Sequence, residues 1–92
     1  MRRVVYAVSI LVMKARVIVT LKSAVLDPQG KAIEGALRSL GVAGVQSVRQ
    51  GKVFDVELAG NDKDHAETVL RQACDRLLAN TVIETYRVEF VE

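Results

Sequence analysis

The chain has 92 residues, of which 50% are hydrophobic, 26% are charged and 4% are aromatic, and it contains no tryptophan. This length supports one small hydrophobic core and excludes two domains, while the single cysteine excludes an intramolecular disulfide and a zinc site built on two thiolates. Thirteen basic and eleven acidic residues give a formal net charge of +2, an excess too small to predict nucleic-acid binding.

The first twelve residues form an apolar N-terminal extension. Arg2 and Arg3 precede an apolar run, as in a signal peptide. However, Lys14 and Arg16 stand where the small residues of a cleavage site would be expected, and the run is too short to span a bilayer. We therefore predict an extension over residues 1–12 with strand-like packing, followed by a single domain over residues 13–92. We expect a cytoplasmic protein, because a lone cysteine suits a reducing compartment.

The first half of that domain is predicted to be a strand followed by a helix. Apolar and polar residues alternate from Lys14 to Lys22, as in a half-buried strand. Asp27-Pro28 is typical of a helix start, and Gly41 supplies the helix end. One face of this helix is apolar and the opposite face carries Lys31, Glu34 and Arg38; the apolar face comprises Ile33, Ala36, Leu37 and Leu40.

The second half is predicted to contain three further strands and one helix. Strands over Val45–Gln50 and Val53–Ala59 meet in a hairpin at Gly51-Lys52. Gly60-Asn61-Asp62 supplies the cap of a helix over residues 62–79, and a strand follows over Thr85–Val91. The order β-α-β-β-α-β predicts an α+β fold: a four-stranded antiparallel sheet with two helices on one face, ferredoxin-like or related. The uncovered face would carry Ile18, Val53 and Val91 among charges, which favours an oligomer.

Residue types alone predict no active site. His65 lies in the first turn of the second predicted helix, where an exposed side chain is a better interpretation than a catalytic base. Cys74 borders an apolar stripe and is expected to be a buried hydrophobe. Asp62 and Asp64 suit a solvated helix start better than a metal site. No glycine-rich loop follows a strand, so a nucleotide-phosphate site is not predicted. Phe54 is expected to face the core, which disfavours an RNA-binding sheet. We predict an interaction domain without cofactor or metal in this chain.

Three stretches together carry a family resemblance. They are Val25-Leu26-Asp27-Pro28-Gln29-Gly30, Val48-Arg49-Gln50-Gly51-Lys52 and Leu77-Leu78-Ala79-Asn80-Thr81-Val82-Ile83-Glu84. In order and spacing the chain resembles the PurS family, the small subunit of phosphoribosylformylglycinamidine synthase, from about Met13 to the C-terminus.

The resemblance implies a non-catalytic structural subunit in de novo purine synthesis. It would bridge a glutaminase subunit and a larger synthetase subunit that uses ATP and Mg²⁺, and support ammonia transfer between them. It would also self-associate as a dimer or tetramer. No nucleic-acid or membrane partner is expected. The expected contact residues are Asp27, Pro28, Gln29, Gly30, Arg49, Gly51, Leu78, Ala79, Asn80, Thr81, Val82 and Ile83.

Several alternatives remain open at this point. Asp27-Pro28 and Asn80-Thr81 also have purely structural uses, as a helix cap and as the corner between a helix and a strand. A regulatory dimer that senses a small molecule is an alternative function on the same fold, and a small phosphatase or a nucleic-acid binder is a more remote one.

Overall fold

The computed structural model describes residues 12–91 of the chain. Within them lie three strands, β1 (Val12–Leu21), β2 (Gly51–Ala59) and β3 (Glu84–Val91), and two α-helices, α1 (Pro28–Ser39) and α2 (Lys63–Ala73). A π-helical turn over Cys74–Leu78 continues α2. The strands form one antiparallel sheet in the order β2-β1-β3. The predicted packing of residues 1–12 falls outside the described residues except for Val12, which begins β1.

The core lies between the sheet and α2. Alternation along β1 turns Ala15, Val17 and Val19 to one face, where they are buried. Cys74 and Ala79 close over this face, and half-buried side chains from both flanking strands and the π-helical turn complete the cluster: Phe54, Leu78, Tyr86 and Val88. The predicted burial of Cys74 and the inward direction of Phe54 are therefore confirmed.

The opposite face of the sheet, here called the open face, carries mixed charges. Arg16 pairs with Asp55 across β1 and β2 at 2.8 Å (Nε to Oδ1), and Arg87 pairs with Glu89 along β3 at 2.7 Å (Nε to Oε2). Val53 lies among these charges with 55% of its surface exposed. No element within residues 12–91 covers this face, as predicted.

Both helices start at the predicted caps. Asp27 accepts a hydrogen bond from the Gly30 amide at 2.9 Å, and Asp62 accepts one from the His65 amide at 3.1 Å. Helix α1 ends at its cap Leu40, and Gly41 follows with a φ of +83°, a left-handed conformation that suits glycine. None of the helices in residues 12–91 is long and apolar enough to cross a membrane.

The predicted strand Val45–Gln50 and its hairpin at Gly51 are wrong. Gly51 begins β2, and residues 45–50, here called the strap, connect α1 to β2 without regular secondary structure. The strap cannot pair as predicted because α1 and its cap take its amide donors: Val48 donates to Glu34 Oε2 at 2.8 Å and Gln50 donates to Asp27 Oδ2 at 2.7 Å. The α+β class is confirmed, but the sheet has three strands in the described residues, and the ferredoxin-like arrangement is not confirmed.

Helix α1 is oriented opposite to the expectation from its amphipathic pattern. Glu34, on the polar face, is buried against the strap, while Ile33 and Leu40 on the apolar face are 38% and 78% exposed. The only buried residues of the helix are Gly30 and Glu34, and α1 contributes no side chain to the core under the sheet. The prediction that both helices cover the sheet is therefore wrong for α1, and its apolar face has no cover within residues 12–91.

Candidate functional site

The structure brings the three sequence stretches together at one end of the sheet. Residues 27–30 start α1, residues 49–52 end the strap and begin β2, and residues 80–84 lead from the π-helical turn into β3. One hydrogen bond joins the first stretch to the second, and two hydrogen bonds through Lys22 connect the second to the third. We call this region, residues 27–30, 49–52 and 80–84, the motif end of the sheet.

Asp27 joins the first stretch to the second. Its carboxylate is only 5% exposed, and one oxygen accepts from the Gly30 amide while the other accepts from the Gln50 amide. These hydrogen bonds, Gln50 first and Gly30 second, hold the pKa of Asp27 below its usual value. Asp27 therefore does more than cap a helix: as a carboxylate, it attaches α1 to the strap.

Two glycines of the predicted set permit close backbone approach at this junction. A Cβ atom on Gly30 would collide with the carbonyl oxygen of Val48 in the strap and would stand 2.8 Å from Asp27 Oδ2. A Cβ on Gly51 would stand 2.6 Å from the carbonyl oxygen of Val19 in β1. Both glycines are thus required by packing of the backbone, which explains their place in the motifs without any contact to a partner.

Arg49 joins the second stretch to the third through the loop after β1. Its Nη2 atom donates to the carbonyl oxygen of Lys22 at 2.9 Å, and the Lys22 amide donates to the carbonyl oxygen of Ile83 at 2.8 Å. The residue is exposed, as predicted for a group that reaches outward. The carbonyl contact orients the guanidinium at the protein surface, where its other N–H groups can meet an acceptor from outside.

Asn80 shapes the turn that enters β3. Its carbonyl oxygen accepts from the amides of Ile83 and Glu84, and its side-chain oxygen accepts from the Val82 amide at 3.2 Å. Glu84 in turn accepts from the Asn80 amide and lies 3.9 Å from Lys52 Nζ, which ties the turn to β2. The corner role of Asn80 is therefore present in the structure, and it leaves Thr81 and Val82 exposed.

Three large apolar side chains close in the chain to this end are exposed. Leu26, Leu77 and Val82 are 68%, 81% and 79% exposed. A cavity of about 260 Å³ lies at the motif end, among the end of β1, the start of α1 and the start of β2; its lining includes Gln29, Gln50 and Glu84. Pro28 and Gln29 are exposed as well, whereas Leu78 is half-buried and Ala79 is buried under the sheet. The arrangement offers a surface for a protein partner rather than a set of reacting groups.

The remaining reactive side chains lie elsewhere. Cys74 is completely buried, and this burial raises the pKa of its thiol, so the sulfur is held as a protonated hydrophobe. His65 is exposed in the first turn of α2, on a different element from the motif end. Among its described residues, the candidate site contains no nucleophile with a neighbouring base.

Sequence reasoning missed Glu34, the second carboxylate that holds the strap. Its Oε2 accepts from the Val48 amide, which is the first cause of a pKa below the usual value, and Lys31 and Arg38 lie 3.5 and 3.6 Å from Oε1. The spacing of these residues could have indicated this role. Asp27, Gly30 and Glu34 recur at helical intervals, so two carboxylates and a glycine lie on one face of α1.

Comparison with known proteins identifies relatives over most of the chain. Residues 14–92 match the family model described as PurS, phosphoribosylformylglycinamidine (FGAM) synthase. The PurS subunit of phosphoribosylformylglycinamidine synthase from Bacillus subtilis (strain 168) is 46% identical over 79 residues, covering 86% of this chain and 93% of that protein.

Solved structures agree with the sequence comparison. A crystal structure of B. subtilis PurS superposes with a TM-score of 0.76 at 45% identity, covering 87% of this chain and 99% of the other. A chain in the structure of PurLQS from Thermotoga maritima superposes with a TM-score of 0.81 at 34% identity, covering 87% and 98% of the two chains.

Proposed function

The chain belongs to the PurS family of phosphoribosylformylglycinamidine synthase subunits, and on this premise we propose that it bridges the two larger subunits of that enzyme. It is a subunit of a ligase of purine biosynthesis. In the proposed role it carries no catalytic group of its own and holds a glutaminase subunit beside a synthetase subunit. Ammonia released by the first then reaches the second, which uses ATP and Mg²⁺, without being lost to the cytoplasm in which the complex works.

The observation that supports this proposal is a hydrogen-bonded motif end with exposed apolar side chains in the chain segments next to it. Hydrogen bonds through Asp27, Arg49 and Asn80 hold three chain segments in one arrangement. On that support, Leu77 and Val82 are left about four-fifths exposed. A preorganised surface with protruding apolar side chains loses little conformational entropy when a protein partner covers it. We assign the motif end to a larger subunit.

Self-association belongs to a different surface, the apolar face of α1. Ile33, Leu40 and the neighbouring Val42 are all more than a third exposed, and Lys31 and Arg38 on the other side are engaged with Glu34. A helix with this pattern is stable when its apolar face is covered. A second copy covering α1 leaves the motif end free, so one assembly can present two motif ends to larger subunits.

The test of the bridging surface compares two substitutions of exposed valines. The three subunits are coexpressed, the complex is purified through the synthetase subunit, and the bound fraction of this chain is measured. Val82→Asp is expected to lower that fraction at least about tenfold, since a charge is placed in a desolvated contact. The matched control Val53→Asp introduces the same charge on the open face, where the fraction is expected to stay at the wild-type value. Equal retention of both variants would refute the assignment of the motif end.

A further inference from the structure

The charged side chains at the motif end are sorted by depth. Both of its acids are turned inward: Asp27 is 5% exposed, and the side chain of Glu84 is 16% exposed. Its bases reach the surface, since Arg49 is exposed and 54% of the Lys52 side chain is accessible. Lys22, whose carbonyl oxygen accepts from Arg49, is exposed as well. We call Lys22, Arg49 and Lys52 the basic patch.

The inward acids are satisfied by main-chain amides. Asp27 accepts from the amides of Gly30 and Gln50, and Glu84 Oε1 accepts from the Asn80 amide at 2.6 Å. An amide that donates to a carboxylate offsets part of its negative charge and strengthens the contact. The surface potential at the motif end is therefore set by the exposed bases rather than by the acids beneath them.

The same sorting continues beside the strap, on the polar face of α1. Glu34 is 3% exposed and accepts from the Val48 amide. Lys31 and Arg38 approach the same carboxylate, but 65% and 57% of their side-chain surfaces remain accessible. The strap that Glu34 holds leads directly to Arg49. A positive surface thus extends from the basic patch along the strap to α1.

Charges on the open face are arranged differently. Arg16 pairs with Asp55 at 2.8 Å, and Arg87 pairs with Glu89 at 2.7 Å. All four side chains are at least 45% exposed, so each pair places both signs at the same depth. Adjacent opposite charges largely cancel at a distance. The open face therefore attracts a charged partner less than the motif end does.

Arg49 is positioned to bind a carboxylate. Its Nη2 atom donates to the Lys22 carbonyl oxygen at 2.9 Å, which orients the guanidinium plane. Within residues 12–91, neither Arg49 nor Lys22 forms an ion pair with an acid. A planar guanidinium binds a carboxylate through two parallel hydrogen bonds, and arginine is enriched among the residues that dominate protein interfaces.

The surroundings favour a protein over a nucleic acid. Leu26 and Val82, in the chain segments at the motif end, are 68% and 79% exposed, and apolar contacts beside charged groups are typical of protein interfaces. Single-stranded nucleic acids are held by exposed aromatic side chains on which bases stack. The aromatic residues of the described part of the chain are half-buried on the core side of the sheet: Phe54, Tyr86 and Phe90.

We infer that the basic patch receives an acidic surface of the larger subunit that covers the motif end, with Arg49 bound to a carboxylate of that subunit. This assignment rests on the proposed bridging function and adds the chemistry of the partner. Opposite charges on the two surfaces accelerate their encounter. Salt screens this attraction, because the Debye length falls from about 10 Å at 0.1 M to about 3 Å at 1 M.

Charge reversal at Lys22 tests the acidic partner. The full-length chain binds a synthetase subunit immobilised on a sensor, with the glutaminase subunit present, and the association rate is measured at the two salt concentrations. Within residues 12–91 the Lys22 side chain makes no hydrogen bond or ion pair, so Lys22→Glu changes charge without breaking an internal contact. The association rate is expected to fall at least about fivefold at 0.1 M salt and less than about twofold at 1 M.

Two further variants complete the experiment, and circular dichroism checks that each is folded. The matched control Lys63→Glu, at the opposite end of the sheet beside Phe90, is expected to associate at the wild-type rate. Arg49→Lys keeps the charge but loses the planar fork. It is expected to associate within about twofold of the wild-type rate and to dissociate at least about threefold faster. Wild-type dissociation of this variant would overturn the carboxylate contact of Arg49.

Val82→Asp in the same assay separates failure of this inference from failure of the bridging function. If Val82→Asp weakens binding while Lys22→Glu associates like wild type, or if the wild-type rate does not depend on salt, the motif end remains the contact and the acidic partner is refuted. If neither variant weakens binding, the bridging surface itself is refuted. A single-stranded oligonucleotide that binds wild type but not Lys22→Glu, with subunit association equal for both, would assign the patch to nucleic acid and overturn the inference.

Discussion

Replacing Gly30 by alanine tests the attachment of the strap to α1. In the structure a methyl group at this position meets the Val48 carbonyl oxygen and stands 2.8 Å from Asp27 Oδ2. The neighbours are backbone of the strap and a carboxylate held by two amides, so neither can rotate away as a flexible side-chain end would. Alanine at position 30 therefore forces the strap away from the helix.

The expected cost follows from overpacking. Inserting a methyl group into a closed contact typically costs about 1–3 kcal/mol, and the hydrogen bonds from the strap amides to Asp27 and Glu34 lengthen in the same direction. The gain in helix propensity, at most about 1 kcal/mol, offsets part of this. For a domain of this size a loss of 1 kcal/mol lowers Tm by roughly 4–8 °C, so a net loss of about 1–2 kcal/mol is expected to lower Tm by about 4–16 °C.

The matched control is Gly35→Ala in the same helix. A Cβ at Gly35 meets nothing within 4 Å, so only the propensity gain remains and Tm is expected to rise by a few degrees, about 4 °C. Both variants are melted at one protein concentration, because self-association makes Tm concentration-dependent. Equal shifts of the same sign for the two variants would show that the strap does not lie against Gly30 and would refute the reasoning.

Three further predictions concern neighbouring features. Gly51→Ala is expected to lower the free energy of unfolding by about 1–3 kcal/mol in denaturant titration, because its Cβ would meet the Val19 carbonyl oxygen at 2.6 Å; unchanged unfolding would contradict the close approach. The pKa values of Asp27 and Glu34 are lowered in the folded state, so the two carboxylates stabilise the fold above the pKa that they have in the unfolded chain, and this contribution is lost as pH falls below about 5. As pH is lowered, the Tm of the Asp27→Asn/Glu34→Gln variant is therefore expected to fall less steeply than the Tm of wild type. Equal slopes would argue against this role of the two carboxylates. Leu40→Glu is expected to halve the mass of the assembly in light scattering without unfolding the chain, since Leu40 is 78% exposed; an unchanged mass would remove α1 from the self-contact.

Local patterns predicted most of the elements. The caps Asp27 and Asp62, the end of α1 at Gly41 and the alternation along β1, β2 and β3 are signals carried by a few neighbouring residues, and the structure confirms each. The second predicted helix continues as expected but changes to a π-helical turn at Cys74, a difference in hydrogen-bond pattern that no local signal indicates.

The strap could not be predicted because its partners are distant in the chain. Residues 45–50 have a strand-like sequence, but Val48 and Gln50 donate to carboxylates 14 and 23 residues earlier. A pattern read within a short window assigns such donors to a neighbouring strand. The same long-range contact explains why Glu34 is buried although it lies on the polar face of α1.

For the candidate site, the sequence predicted which residues are important better than it predicted what each residue does. Asp27, Gly30 and Gly51 were singled out as contact residues, and in the structure each has an internal task at the strap junction. Leu78 and Ala79 are turned toward the core. Other predicted residues, Val82 among them, are exposed, and only the folded structure separates the exposed residues from those with internal roles.

The bridging role is tested most directly by comparing two nitrogen sources in the reconstituted enzyme. Turnover of the glutaminase and synthetase subunits is measured with glutamine and with ammonium, each with and without this chain. We predict that this chain is required for the glutamine-dependent rate, that Val82→Asp in it lowers that rate, and that the ammonium-dependent rate of the synthetase changes little. Full glutamine-dependent turnover in the absence of this chain would contradict the bridging role.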